Sequence, residues 1–144
     1  MAELVWFDRK MLMSAWRRVA IEMLPEFRDM IAQAEQPMQL WVQIGAHFQD
    51  AFRNGNDDLV RRFFNYAAWC IDTAKPQATD ASTAAWCVFY EHIPGVDGLT
   101  AQLHRFMPRN RFIQVKDAFR YHIDENGFDR LQKAVLSSYD SSLA

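Results

Sequence analysis

The sequence predicts an all-α fold, and three of its features support that class. Apolar residues recur every three to four positions along nearly the whole chain, which is the period of an amphipathic helix. No stretch shows the strict polar–apolar alternation of a half-buried strand. The tetrapeptide Ala-Ala-Trp-Cys occurs at 67–70 and again at 84–87, each time inside an apolar helical stripe. We therefore expect a compact bundle, or a short HEAT-like α-α superhelix, of about six to eight helices.

The repeated tetrapeptide also indicates how two of the helices pack. A proline-containing turn separates the two copies, so we expect adjacent helices that bury similar faces against one core. Cys70 and Cys87 end the two copies and have no second cysteine at metal-binding spacing. Both are expected to be buried free thiols rather than a disulfide.

The length and composition of the chain predict one domain. It has 144 residues, of which 50% are apolar and 14% aromatic, enough for a core without disulfides or metals. We expect a single helical domain over residues 1–136. The last residues, 137–144, are mostly polar and are expected to form a tail that frays.

Prolines, glycines and capping residues divide the chain into its predicted helices. Proline suits the first turn of a helix, glycine the position after its last turn, and asparagine, aspartate and serine its N-cap. Gly55 is expected to end one helix and Asn56 to begin the next, while Asp80 or Ser82 caps a later helix. The predicted helices cover approximately residues 4–24, 25–36, 38–53, 57–75, 81–93, 97–106, 108–126 and 128–136.

Charge and hydropathy argue against several classes of protein. The formal net charge is −2, so no overall basic field attracts nucleic acid or a membrane surface. No segment approaches the ~18 consecutive apolar residues of a membrane span. Charged residues interrupt the N-terminus early, unlike in a secretory signal. We therefore expect a cytoplasmic protein with no membrane association.

The sequence has no recognisable catalytic motif. It lacks the G-x-S-x-G nucleophile elbow, the P-loop and the G-x-G-x-x-G dinucleotide fingerprint, and it has only five glycines. We expect a non-enzymatic protein without a cofactor, whose function is to bind a protein partner.

Acidic residues near the two Ala-Ala-Trp-Cys helices are the candidate partner-binding residues. They are Asp57, Asp58, Asp72 and Glu91. An acidic face of this kind complements a basic partner surface and accelerates association. Glu91 is also expected to face inward, where it would need a partner such as Arg61, Arg62 or a helix N-terminus.

A basic segment over residues 104–120 supports an alternative function as a nucleic-acid-associated regulator. Its cations are Arg105, Arg109, Arg111, Lys116 and Arg120, set among aromatic residues and opposed by Asp117 alone. Such a pattern is able to follow a phosphate backbone. It is more typical of a solvated helix face whose long side chains cover an apolar core.

A second alternative is a metal-dependent helical-bundle enzyme. His47 and Asp50 lie three residues apart, as do His122 and Glu125, so each pair shares a helix face. Four such ligands could hold a metal between helices. Di-iron bundles, however, place glutamate before histidine and use further glutamates, which are missing here.

Several local patterns together resemble a known group of proteins across residues 20–125. They are Leu24-Pro25-Glu26-Phe27, Leu40-Trp41, the run from Asn54 to Val60, Phe63-Phe64-Asn65, and Phe89-Tyr90-Glu91. The group consists of small all-helical bacterial proteins of unknown activity, some of which resemble the immunity proteins encoded beside polymorphic toxins. The resemblance implies that this chain binds and blocks a cognate toxin. None of the matched positions is catalytic by its chemistry, so no catalytic residue is implied.

Overall fold

Seven α-helices build the described part of the chain. The computed structural model describes residues 14–142, which contain no β-strand. The predicted all-α class is therefore confirmed. The predicted first helix begins before Ser14, and that part of it lies outside the described residues. The helices are α1 Ala15–Met23, α2 Arg28–Gln33, α3 Pro37–Arg53, α4 Asp57–Asp72, α5 Asp80–Ala84, α6 Arg109–Val115 and α7 Glu125–Ser142.

Short non-α turns connect several of these helices. A π segment, Ala85–Phe89, directly continues α5. The 3-10 segments are Pro25–Phe27, Tyr90–Gly95, Thr100–Arg105 and Lys116–Arg120. The helices predicted over 97–106 and 108–126 are thus partly 3-10 rather than continuous α-helix.

The link between α3 and α4 forms as the sequence predicts. Gly55 has a φ of +72°, which favours glycine, and its N–H donates to Phe52 O at 3.2 Å. The next N–H, of Asn56, donates to Ala51 O at 2.9 Å, which completes a Schellman motif. The Asn56 side chain then accepts from Leu59 N at 3.3 Å and caps α4.

The prediction of a single helix over residues 81–93 is wrong in two respects. Its N-cap is Thr79 rather than Asp80 or Ser82, and Ser82 completes a capping box by accepting from Thr79 N at 2.8 Å. The α-helix also ends at Ala84. Phe89 and Tyr90 are neighbours in the sequence, and both are buried. The wide π turn and the tight 3-10 turns after it bring both rings inward.

This irregular segment also makes the two Ala-Ala-Trp-Cys copies differ. They lie on adjacent elements, as predicted, but they do not bury the same face. Cys70 is buried in α4, whereas Cys87 in the π segment is only half-buried. Both are free thiols. Burial raises the pKa of the Cys70 thiol to about 12.

The start of α7 corrects the predicted helix end at Asn126-Gly127. Both residues lie in the first turn of α7, where Gly127 N–H donates to Asp124 Oδ1 at 2.6 Å. A Cβ on residue 127 would lie 2.9 Å from that oxygen, so glycine allows the capping carboxylate to approach. The glycine therefore serves the beginning of a helix rather than its end.

The C-terminal residues 137–142 continue α7 instead of forming an irregular tail. Tyr139 is 6% exposed, and its hydroxyl donates to Met107 O at 2.6 Å. This contact fastens the last helix to the turn before α6. The ordered helix thus extends beyond the boundary expected at residue 136.

An aromatic cluster forms the centre of the core. Phe89 lies 5.0 Å from Trp41, 4.9 Å from Phe48, 5.1 Å from Phe64 and 5.1 Å from Tyr90, measured between ring centroids. These rings come from α3, α4 and the segment after α5. The cluster therefore holds three parts of the chain together.

We expect Phe89→Leu to lower the free energy of unfolding by about 2 kcal/mol, because it removes ring contacts and leaves unfilled volume. Urea titration followed by tryptophan fluorescence measures this change. Tyr121→Leu is the control, because Tyr121 is 73% exposed and its replacement should change stability by less than about 0.5 kcal/mol. Equal effects of the two substitutions would show that Phe89 is not central to the core.

Candidate functional site

The outer face of α3 lacks charge from Met38 to Gln49, before the exposed pair Asp50 and Arg53 at the end of the helix. Five exposed residues lie between positions 38 and 49 of this helix: Met38, Val42, Gln43, Ala46 and Gln49. None of these five residues is charged, although 24% of the residues in the whole chain are charged. By contrast, α7 exposes Asp129, Arg130 and Lys133 within five residues. Depletion of charge is a property of the centre of protein–protein interfaces.

Two large apolar side chains are exposed on this helix. Val42 is 65% exposed and Met38 is 38% exposed. Their spacing of four residues places them on one side of α3, and Gly45, Ala46 and Gln49 continue that side by further steps of three or four. We call these five residues, Met38, Val42, Gly45, Ala46 and Gln49, the α3 face.

Gly45 is an unusual residue for the interior of a 17-residue helix. A glycine there costs about 1 kcal/mol relative to alanine. No tight contact requires it, because a Cβ at this position would meet no atom within 4 Å. The missing side chain instead leaves the helix backbone accessible from outside.

A narrow notch opens beside Gly45. It lies between α3 and the residues from Val88 to Val96, and its volume is about 30 Å³. That is room for one water molecule or a methyl-sized group. Trp41 and Phe48 form its inner wall, so the notch leads towards the aromatic core.

Aromatic side chains extend this surface beyond the notch. His92 lines the notch, and its ring lies 4.7 Å from that of His122, measured between centroids. The His122 ring is in edge contact with Tyr121 at 4.8 Å. All three side chains are exposed. These aromatic contacts therefore run from the notch to the turn that precedes α7.

Three of the four predicted partner-binding acids form ion pairs inside the chain. The pairs are Arg105–Asp57, Arg62–Asp58 at 3.0 Å and Arg111–Asp72 at 2.8 Å. Two of the acids lie in the first turn of α4, and the third is its last residue. The structure therefore brings these acids to arginines that fix both ends of α4.

Arg62 makes the most extensive of these contacts. Its guanidinium donates to Asp58 at 3.0 Å, to Glu26 at 2.7 and 2.5 Å, and to the carbonyl oxygen of Met23 at 3.0 Å. Hydrogen bonds from Arg62 lower the pKa of Glu26, and those to Glu26 raise the pKa of Arg62. The contacts tie the end of α1 and the following 3-10 turn to α4.

Arg111 holds the other end of α4 in a bidentate pair. It donates to the two carboxylate oxygens of Asp72 at 2.8 and 3.0 Å, and to Gln114 at 2.7 Å. Hydrogen bonding from Arg111, with its positive charge, lowers the pKa of Asp72. This pair joins α4 to α6.

Glu91 faces inward as predicted, with 7% of its surface exposed. The expected pairing with Arg61 or Arg62 does not occur, because Arg62 binds Glu26 and Asp58 instead. Arg61 lies over the Phe106 ring at 5.7 Å. Burial, with the charge of Glu91, raises the pKa of the Cys87 thiol, so this thiol is a weak nucleophile at neutral pH.

Most of the basic segment is also engaged within the chain. Arg105 and Arg111 pair with acids of α4, Lys116 donates to Gln132 at 2.7 Å, and Arg120 pairs with Asp117 at 3.2 Å. Arg109 is exposed, and it has no ion pair within residues 14–142. No specific observation therefore favours the nucleic-acid alternative.

The four residues of the metal alternative do not form one site. His47 packs on Phe27 with ring centroids 4.8 Å apart, and Asp50 pairs with Arg53 on the same helix. Glu125 lies 3.4 Å from Arg120. Across residues 14–142 there is no group of three or more histidine, cysteine, aspartate or glutamate side chains that could hold a metal ion. The predicted combination of His47, Asp50, His122 and Glu125 is therefore wrong as a single cluster.

Sequence reasoning missed the α3 face, although a signal for it exists. The residues from Pro37 to Gln49 contain no aspartate, glutamate, lysine or arginine and include a mid-helix glycine. The pairing of His92 with His122 had no local signal, because 30 positions separate the two histidines.

Comparisons with known proteins found no match. No protein-family profile matches the sequence, and no curated protein or solved structure is significantly similar to it. Separately, the helices between residues 14 and 142 include none with the length and apolar character needed to cross a bilayer.

We expect Asp72→Asn to destabilise the protein by about 1 kcal/mol at pH 7, because the pair with Arg111 is partly screened by solvent. The pKa of Asp72 is lowered by folding, so its contribution is complete above the unfolded value, near 4, and is lost as the pH falls below it. Urea titrations of both proteins at pH 7 and pH 3 test this.

The stability difference between wild type and Asp72→Asn should therefore be smaller at pH 3 than at pH 7. Asp129→Asn, at an exposed position of α7, is the matched control and should have little effect at pH 7. A difference that is the same at both pH values would contradict the assigned ion pair.

Proposed function

We propose that this protein is a non-enzymatic protein-binding module and that the α3 face is its docking surface. The observation that carries the proposal is an exposed helix face without charge that contains a glycine no internal contact requires. Interfaces favour such charge-depleted surfaces with exposed apolar anchors. Val42 and Met38 are the anchors here.

The shape of this surface favours a protein, rather than a small molecule, as its binding partner. The notch at Gly45 holds about 30 Å³, far below the ~300–1,000 Å³ of typical ligand pockets. A glycine on an exposed helix instead permits a second helix or loop to approach the backbone closely. The partner should present a small, uncharged side chain opposite Gly45.

The α3 face is also rigid enough for tight binding. The opposite side of the helix is buried through Leu40, Trp41, Ile44 and Phe48, two of which contact the Phe89 ring. A surface ordered before binding loses little conformational freedom when it docks. This favours an inhibitor that acts by covering its target.

We propose further that the partner is a bacterial toxin and that the protein is its cytoplasmic immunity protein. The support for this step is the resemblance of residues 20–125 to immunity proteins. The mechanism is occlusion, in which the α3 face lies against the toxin and blocks access to its active site. Asp57, Asp58 and Asp72 then act within the chain, where they hold α4 through their arginines.

The experiment begins with capture of partners by the purified chain from a lysate of the cells that encode it, at low and high salt. Any stoichiometric partner is then purified, assayed for toxicity in a bacterial host, and tested for inhibition by the chain. A partner that is bound but not inhibited would refute the immunity role and leave the binding module in place. Failure to form any stoichiometric complex would refute both.

Substitutions at the α3 face give the sharper prediction. Val42→Glu should weaken partner binding by at least tenfold, because it places a charge at a buried, uncharged contact. A tenfold loss of affinity corresponds to about 1.4 kcal/mol of binding free energy. Ile113→Glu is the matched control, since Ile113 is 41% exposed on α6 and lies outside the α3 face. Equal binding by both variants would rule out α3 as the docking surface.

Substitutions of Gly45 separate function from stability. We expect Gly45→Ala to raise the free energy of unfolding by about 0.5–1 kcal/mol, because alanine favours a helix and meets no atom. Gly45→Phe should keep the fold and abolish docking, because its ring projects from the surface where the partner approaches. Calorimetric titration with the captured partner, beside urea titration, measures both effects. Wild-type affinity of Gly45→Phe would contradict close approach at this residue.

A further inference from the structure

Two histidines that are distant in sequence meet on the surface. His92 lies in the 3-10 segment Tyr90–Gly95, and His122 lies in the turn before α7. Their ring centroids are 4.7 Å apart, with 31° between the ring planes. The two rings are in contact, and both side chains are exposed to solvent.

The nitrogens of this pair are available. Neither imidazole forms a hydrogen bond or an ion pair with any residue from 14 to 142. Exposed imidazoles with unengaged nitrogens are the preferred protein ligands of late first-row transition ions.

The separation of the rings fits a shared ion. Metal–nitrogen bonds of 2.0–2.1 Å place the centroids of two imidazoles on one metal roughly 4.5–5.5 Å apart. The observed 4.7 Å lies inside this range. Small rotations of two exposed side chains are sufficient to direct one nitrogen of each ring at a common point.

Nearby charges do not oppose a cation. Arg120, two residues before His122, pairs with Asp117 at 3.2 Å and Glu125 at 3.4 Å, and its guanidinium lies over the Phe128 ring. The positive charge of Arg120 is thus offset by two carboxylates.

We propose that His92 and His122 form a two-imidazole site for a divalent late transition ion such as Zn²⁺, Ni²⁺ or Cu²⁺. Water completes the coordination in the isolated protein, because both ligands are on the surface. The site should bind Cu²⁺ more tightly than either Ni²⁺ or Zn²⁺, which is the order that imidazole sites show. The site does not depend on the proposed docking role of α3, although His92 also lines the notch beside Gly45.

The test is calorimetric titration of the untagged full-length chain with ZnCl₂, NiCl₂ and CuCl₂, in a buffer that does not bind metals. We expect one ion per chain. His92→Ala and His122→Ala should each weaken binding at least tenfold, since even the loss of a supporting residue costs about 10–100-fold at metal sites. Both positions are exposed, so both variants should fold, and circular dichroism checks this.

Control variants separate this site from other metal-binding groups. His47→Ala and His104→Ala remove the other two histidines, and Cys87→Ser removes the half-buried thiol. All three should bind as the wild type does. In the proton NMR spectrum, addition of Ni²⁺ should broaden the imidazole signals of His92 and His122 before those of the other histidines. Absence of binding, or binding unchanged in His92→Ala and His122→Ala, would overturn the proposal.

Discussion

The packing of Phe89 is the constraint on which the rest of this fold depends. Its ring contacts Trp41 and Phe48 of α3, Phe64 of α4, and the adjacent Tyr90. From Ala85 the chain leaves α-helical geometry, and the π turn and the 3-10 turns after it carry both Phe89 and Tyr90 into the core. Irregular backbone is expected to cost stability, and the energy of aromatic burial offsets that cost. The position of α3, and hence of its outer face, follows from this cluster.

Arginines supply the second level of organisation, and they determine what remains on the surface. Arg62, Arg105 and Arg111 bind acids at both ends of α4, so much of the charge near this helix is used in holding neighbouring segments. Exposed ion pairs contribute little individually, but the bidentate and multiple contacts seen here fix the geometry of the segments they join. In this respect α3 differs, since its exposed residues between Met38 and Gln49 carry no charge.

The sequence predicted those parts of the fold that local chemistry determines. The Gly55–Asn56 junction depends on a positive φ and a side-chain cap, and both are local properties. The change at Ala85 was missed because no proline, glycine or capping residue marks it in the sequence. Gly127 was misassigned because glycine serves both helix ends, and only the contact with Asp124 distinguishes them. The acids of α4 were identified as surface charges, but their arginines lie up to 48 positions away.

The same irregular segment links the core to the candidate sites. Phe89 lies at its centre and faces α3, while His92, three residues later, emerges at the notch beside Gly45 and meets His122. A continuous α-helix from Asp80 to Ile93 would have turned these side chains to other directions, because each residue of an α-helix advances by a fixed angle. The departure from helical geometry that allows the aromatic core to close therefore also places His92 on the surface. Core packing and the candidate binding surface are two consequences of one change in backbone geometry.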